Sequence, residues 1–261
     1  MKRLIYIFAA LVALSSCTIS EGGNSDQNLV AKMAASMAIS EVQQQIHILS
    51  YAQTIDYYSQ AGDGEREIIE DQHLPNVRLR QTDNGWKVVR NGQDLFSFVC
   101  NGALNEEGSV WNVYLAQDTS LTNDHWWQIK CIGENRWHLD QMIHHVERSV
   151  NIALDVEAGE QIQGQLQSSP IYKYEIEGEC EITQDEVVVA PYRVKMKIVE
   201  PIVFDNYQYH SGFSGTAFTE GRLSMRVTDY KTGEAVVAPF HYWISPEHSN
   251  VKIEYLYLMT E

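Results

Sequence analysis

From Tyr172 to Ile182 the chain reads YKYEIEGECEI, and the side chains change character at every second residue. Tyr174, Ile176, Cys180 and Ile182 share one parity, while Glu175, Glu177, Glu179 and Glu181 share the other. A period of two is that of an extended strand with one face in a core and the other in water. A helix would scatter these glutamates round its circumference. The carboxylate ladder reads as a solvated face that resists aggregation, because ligands on one flat strand do not converge on a cation as curled calcium loops do.

The same period recurs along most of the chain. Strands are expected over Val77 to Gln81, Lys87 to Arg90, Leu95 to Cys100, Val110 to Ala116, His125 to Ile132 and Trp137 to His145. Further ones are Ile171 to Ile182, Val187 to Val199, Ala217 to Val227, Glu234 to Trp243 and Val251 to Leu258. The Asn-Gly pairs in TDNGW and RNGQD are hairpin signals, since both residues accept positive φ. Before this region, Asn28 to Tyr58 holds no Gly or Pro and is rich in Ala, Gln, Met and Leu, which favours helix. Val30, Met33 and Met37, then Val42, Ile46, Leu49 and Gln53 after a shift of phase, form the stripe expected to pack on the β region.

The fold class is therefore mainly β with an N-terminal helical segment, as an antiparallel hairpin-rich sandwich or an extended curved meander. The helical segment covers 28–60 and the β domain 74–261. The polar, Gly-containing stretch NIALDVEAGEQIQGQLQSSP, within 150–170, is the only candidate subdivision.

The first residues place the protein. Lys2 and Arg3 precede an apolar run from Leu4 to Leu14, which matches an export signal and is too short to span a bilayer. Its end, Leu14-Ser15-Ser16-Cys17, resembles the lipobox of bacterial lipoproteins, and the acidic, hairpin-rich body resembles the many uncharacterised lipoproteins of Bacteroidetes. The resemblance implies that residues 1–16 are a signal peptide and that Cys17 becomes the lipidated first residue. It implies a cell-envelope location, with the outer membrane as the expected one and a periplasmic or surface-facing body. Residues 17–27, whose TISEGGNSDQ is small and polar, read as a flexible tether.

Removing residues 1–16 takes away two of 19 basic residues and none of the 35 acidic ones, moving the formal charge from −16 to −18. Phosphate binding needs the opposite balance, so nucleic acid is excluded as a partner. The membrane is a partner through the lipid anchor.

Candidate chemistry is sparse. His138, Asp140 and His144 share a strand parity and are the densest metal candidates, yet HExxH and zinc-finger spacings are absent, so no metal or other cofactor is expected. GxSxG and phosphate-cradling loops are missing, and 35 acidic residues make any carboxylate pair uninformative. Cys100 and Cys131 are the nearest pair for a possible disulfide, with buried free thiols as the preferred reading. Adjacent Trp126 and Trp127 must face opposite ways on a strand, leaving one to stack on a sugar ring or to be covered. Tyr207 and Tyr209 share a parity in a second aromatic loop.

The sequence thus points to a lipid-anchored, non-catalytic envelope component that binds another protein. A glycan-binding lipoprotein using Trp126, Trp127, Tyr207 and Tyr209 is the alternative, and a hydrolase ranks third.

Overall fold

The computed structural model describes residues 25–60, 69–70, 77–83, 85–115, 125–145, 148–162, 171–184, 192–205, 218–244 and 252–256. One helix, α1 (Ser25–Gln60), precedes the sheet. The strands are β1 (Ile69–Glu70), β2 (Val77–Thr82), β3 (Gly85–Arg90), β4 (Gln93–Asn101), β5 (Val110–Leu115), β6 (His125–Gly133) and β7 (Arg136–His145). They continue as β8 (Arg148–Ile162), β9 (Ile171–Gln184), β10 (Tyr192–Asp205), β11 (Phe218–Asp229), β12 (Ala235–Ile244) and β13 (Lys252–Tyr255). All belong to one 13-stranded antiparallel sheet in which spatial order follows chain order. It is a meander, and the sandwich alternative is not formed.

α1 holds no Gly or Pro, and Asp26 in its first turn complements the helix dipole. Its core-facing stripe differs from the expected one at the start. Ala31, Ala34, Ala35 and Ala38 are buried, Val30 and Met37 are half-buried, and Met33 is exposed. Small side chains let the helix axis approach the sheet, whereas a methionine stripe would hold it away. From Val42 the expected phase holds, with Val42, Ile46, Leu49 and Gln53 all buried. Fully burying an aliphatic side chain of this size contributes about 1.5–3 kcal/mol.

No position from Glu41 to Asp56 is exposed. Tyr51 and Gln53 lie about 200° apart round the axis, yet Tyr51 packs on Phe96 of β4 and Gln53 accepts a hydrogen bond from Tyr174 of β9. A sheet that touches opposite sides of one helix must curl round it.

Irregular pairing across β9, β10 and β11 supplies bend. Lys197 pairs with Glu179, but the next aligned pair is Ile202 with Ile176, so β10 spends Ile198 to Pro201 against only Glu177 and Gly178. The β10–β11 register slips over the same residues. Bulges of this kind increase local twist, and Pro201 fits there because it needs no ladder donor. Gly178 sits at the crease with φ 130°, and a Cβ there would lie 2.2 Å from the Ala153 carbonyl oxygen of β8. Gly178→Ala is expected to destabilise the protein by about 1–3 kcal/mol from backbone strain alone. A urea midpoint equal to that of the parent would disprove the tight approach.

Several local expectations change. Asn91 and Gly92 form the two-residue loop between Arg90 and Gln93, both with positive φ. In TDNGW, however, Gly85 pairs with Thr82 and opens β3. The stretch proposed as a subdivision contains most of β8, which pairs with β7 and β9 within the same sheet. Val150, Ile152, Leu154 and Val156 alternate inward there. Cys100, Cys131 and Cys180 are free thiols. The possible Cys100–Cys131 bridge is not formed, because Cys100 is on β4 and Cys131 on β6 with β5 between them. Two strand spacings are roughly 9.5 Å, beyond the usual Cα separation of a disulfide, about 4.4–6.8 Å.

Candidate functional site

The inner face of the sheet carries α1, and polar side chains fix where the helix lies. Arg148 of β8 donates to Glu41, Gln45 donates to Gln141 of β7, and Tyr174 of β9 donates to Gln53. Farther along, the Leu104 amide donates to Asp56 Oδ1 at 3.0 Å. At the other end, the Tyr255 hydroxyl donates to Asn28 Oδ1 at 2.7 Å. Buried polar groups need such partners, and each pair matches one helical position to one strand or, for Leu104, to the β4–β5 loop. Buried helix hydroxyls use the carbonyl four residues back, as Ser50 does with Ile46 and Thr54 with Ser50.

This interior is electrostatically perturbed but chemically quiet. Burial pushes the Glu41 carboxyl above its ordinary value, outweighing the Arg148 guanidinium. Burial likewise raises Asp56 against the lowering effect of the Leu104 amide and Gln60. The Cys100 thiol is pushed up to about 12 by burial and then by Asp56. Cys180 is pushed up by burial foremost and by Glu41. Both sulfurs stay protonated at neutral pH and are poor nucleophiles.

The outer face is where exposed functional groups gather. His138 of β7 stands between two carboxylates, with Nδ1 2.6 Å from Asp155 Oδ1 on β8 and Nε2 3.2 Å from Asp140 Oδ1. Partial burial lowers the imidazole pKa, but the two aspartates overcome it and the net direction is upward. The proposed trio of His138, Asp140 and His144 does not converge. His144 lies six residues along β7, roughly 20 Å at strand rise, and pairs with Ser149. Both nitrogens of His138 are engaged, leaving no lone pair for a metal. Among the described residues no group of three or more His, Cys, Asp or Glu is arranged to hold a metal ion.

Trp126 and Trp127 face opposite ways. Trp127 is buried against Phe96, with ring centroids 5.9 Å apart and an edge-on geometry. Trp126 points outward, half-buried, and its cross-strand partner is Met142, which is 39% exposed. Continuing the β5–β6 register by one residue sets outward Tyr114 beside Trp126. Around this apolar group lie Asn112 and Gln128, joined by a 3.0 Å hydrogen bond, and Asn151. Met142 carried no signal in the sequence until β7 gave it a face and a partner.

Farther across the same face, the crease between β9 and β10 opens a depression of about 390 Å³ lined by Glu177, Glu179, Lys197, Val199 and Pro201 among others. Glu177, Glu179 and Lys197 have no ion-pair or hydrogen-bonding side-chain partner among the described residues. Neighbouring charges do pair, with Glu181 held by Arg193 and Lys195 at 3.3 and 3.0 Å. Cys17, Tyr207 and Tyr209 lie outside the described residues.

The fold and site define a one-sheet antiparallel meander with its own helix on the inner face and a mixed apolar and charged outer face. Set against protein-family models, curated proteins and solved structures, the chain matches none. No helix among the described residues is long and apolar enough to cross a membrane.

Proposed function

We propose that this chain is a lipid-anchored component of the cell envelope that binds a partner protein through the outer face of its sheet. The observation carrying this reading is the pairing of half-buried Trp126 with exposed Met142 beside outward Tyr114, with the amide side chains of Asn112, Gln128 and Asn151 around them. Protein interfaces concentrate aromatic residues and methionine at their centre and surround them with a polar rim. Methionine also adapts its shape to a partner at little cost. Unpaired Glu177, Glu179 and Lys197 supply the rim with charge that selects a complementary surface.

The test is affinity capture of the tagged, lipidated protein from detergent-solubilised envelopes, run beside the variant Met142→Glu. A stoichiometric partner is expected with the parent, and the variant should weaken its affinity by about tenfold or more, as loss of a central anchor does. A partner retained equally by both proteins would remove this face from the interface.

Outward Trp126 also supports a second reading, as a stacking platform for a sugar ring. Recovery of the protein alone, together with tryptophan fluorescence that changes when polysaccharide is added and stays constant in Trp126→Phe, would favour the glycan.

A further inference from the structure

Among the large apolar side chains, Leu29 is the most exposed at 52%, and Met33, one helical turn on, is 41% exposed. They share a face of α1 with Asp26 and Ser40, while the alanines opposite pack on the sheet. An apolar group of this kind occurs where the chain leads in from Cys17. The 12 residue-to-residue steps from Cys17 to Leu29 span at most about 40 Å even when fully extended.

We infer that the first turns of α1 rest on the bilayer surface, with Leu29 and Met33 entering the acyl boundary. This rests on the lipid anchor proposed at Cys17. An acyl anchor makes the contact intramolecular in effect, so two apolar side chains suffice where they would not hold a free protein to a membrane. The occupant is lipid rather than protein because the tether confines this end to the membrane's neighbourhood. The lipid is zwitterionic, because a chain with 35 acidic and 19 basic residues is repelled by an anionic surface. Contact at this edge would orient the body and leave Trp126 and Met142 available to a partner.

The acylated full-length protein, purified from envelopes and reconstituted into phosphatidylcholine and phosphatidylethanolamine vesicles, tests this with a fluorophore at Met33→Cys. A matched label at Glu177→Cys reports the outer face, and Leu29→Cys serves if Met33→Cys does not fold. The native thiols do not compete, because Cys131 and Cys180 are buried and Cys100 is held protonated. Doxyl-labelled phosphatidylcholine should quench the label at position 33 strongly and the label at 177 little. Equal quenching at both sites, with acyl chains confirmed by intact mass, would overturn the membrane contact and leave the anchor standing. A mass without acyl chains would overturn the anchor and this inference together.

Discussion

Trp137→Ala is expected to lower the unfolding free energy by about 3–5 kcal/mol, the usual range for deleting a fully buried indole. Trp137 has no exposed surface and lies on β7 between Cys131 of β6 and Val156 of β8. Its Nε1–H donates to the Leu104 carbonyl at 3.2 Å, and the Leu104 amide donates to Asp56 of α1. The substitution therefore opens a cavity and removes the bond between β7 and the β4–β5 loop, the same loop that holds Asp56. Trp137→Phe keeps most of the ring but leaves the carbonyl with one donor fewer, at a cost of about 1–2 kcal/mol. Urea unfolding resolves the series, with the midpoint falling and the slope unchanged if the native sheet persists. A loss below about 1 kcal/mol for Trp137→Ala would contradict the packing.

Arg148→Met should cost about 3 kcal/mol near neutral pH, because it leaves the Glu41 carboxylate buried without its cation. The loss should fade in acid. Glu41 already has a folded-state pKa raised above the ordinary 4.5, with burial as the largest cause. As pH rises past 4.5 the unfolded chain ionises first, so the folded state binds more protons and stability falls with pH across that window. Below 4.5 both states are protonated and the contribution is flat. Without Arg148, which lowers the Glu41 pKa, the window extends to higher pH and the total loss grows. Adding Glu41→Gln to Arg148→Met should restore most of the stability, since a neutral amide carries no buried charge. Urea titrations across the acid range would measure this, and a pH-independent loss in Arg148→Met would refute the assignment.

Legibility in the sequence followed the range of the interactions. YKYEIEGECEI declared its two faces because the period of a strand is local, and the opposition of Trp126 and Trp127 followed from the same rule. β8 had an equally regular pattern in Val150, Ile152, Leu154 and Val156, but the surrounding Gly, Gln and acidic residues disguised it as a boundary. That omission hid Arg148 and Asp155, the partners of Glu41 and His138. On α1 the methionines suggested a core stripe by hydrophobicity alone. The fold instead placed alanines there, because contact distance between helix and sheet governs that choice and no single chain segment encodes it. The choice between free thiols and a Cys100–Cys131 pair could not be decided in the sequence either, since proximity along the chain does not reveal that β5 intervenes. Met142 became a candidate only through its register with Trp126.

The hydrogen bond from Tyr255 to Asn28 joins residues 227 positions apart. Neighbouring strands form mainly local pairings, so successive hairpins can zip together rapidly as the chain appears. The helix is on a different schedule. Synthesis from the N-terminus delivers α1 first, yet its last anchor arrives with β13. Until then its apolar residues lack their final covering and invite association with other chains. Assembly is thus quick along the sheet and late at the helix, and the interval between the two is when this protein most depends on a protected environment.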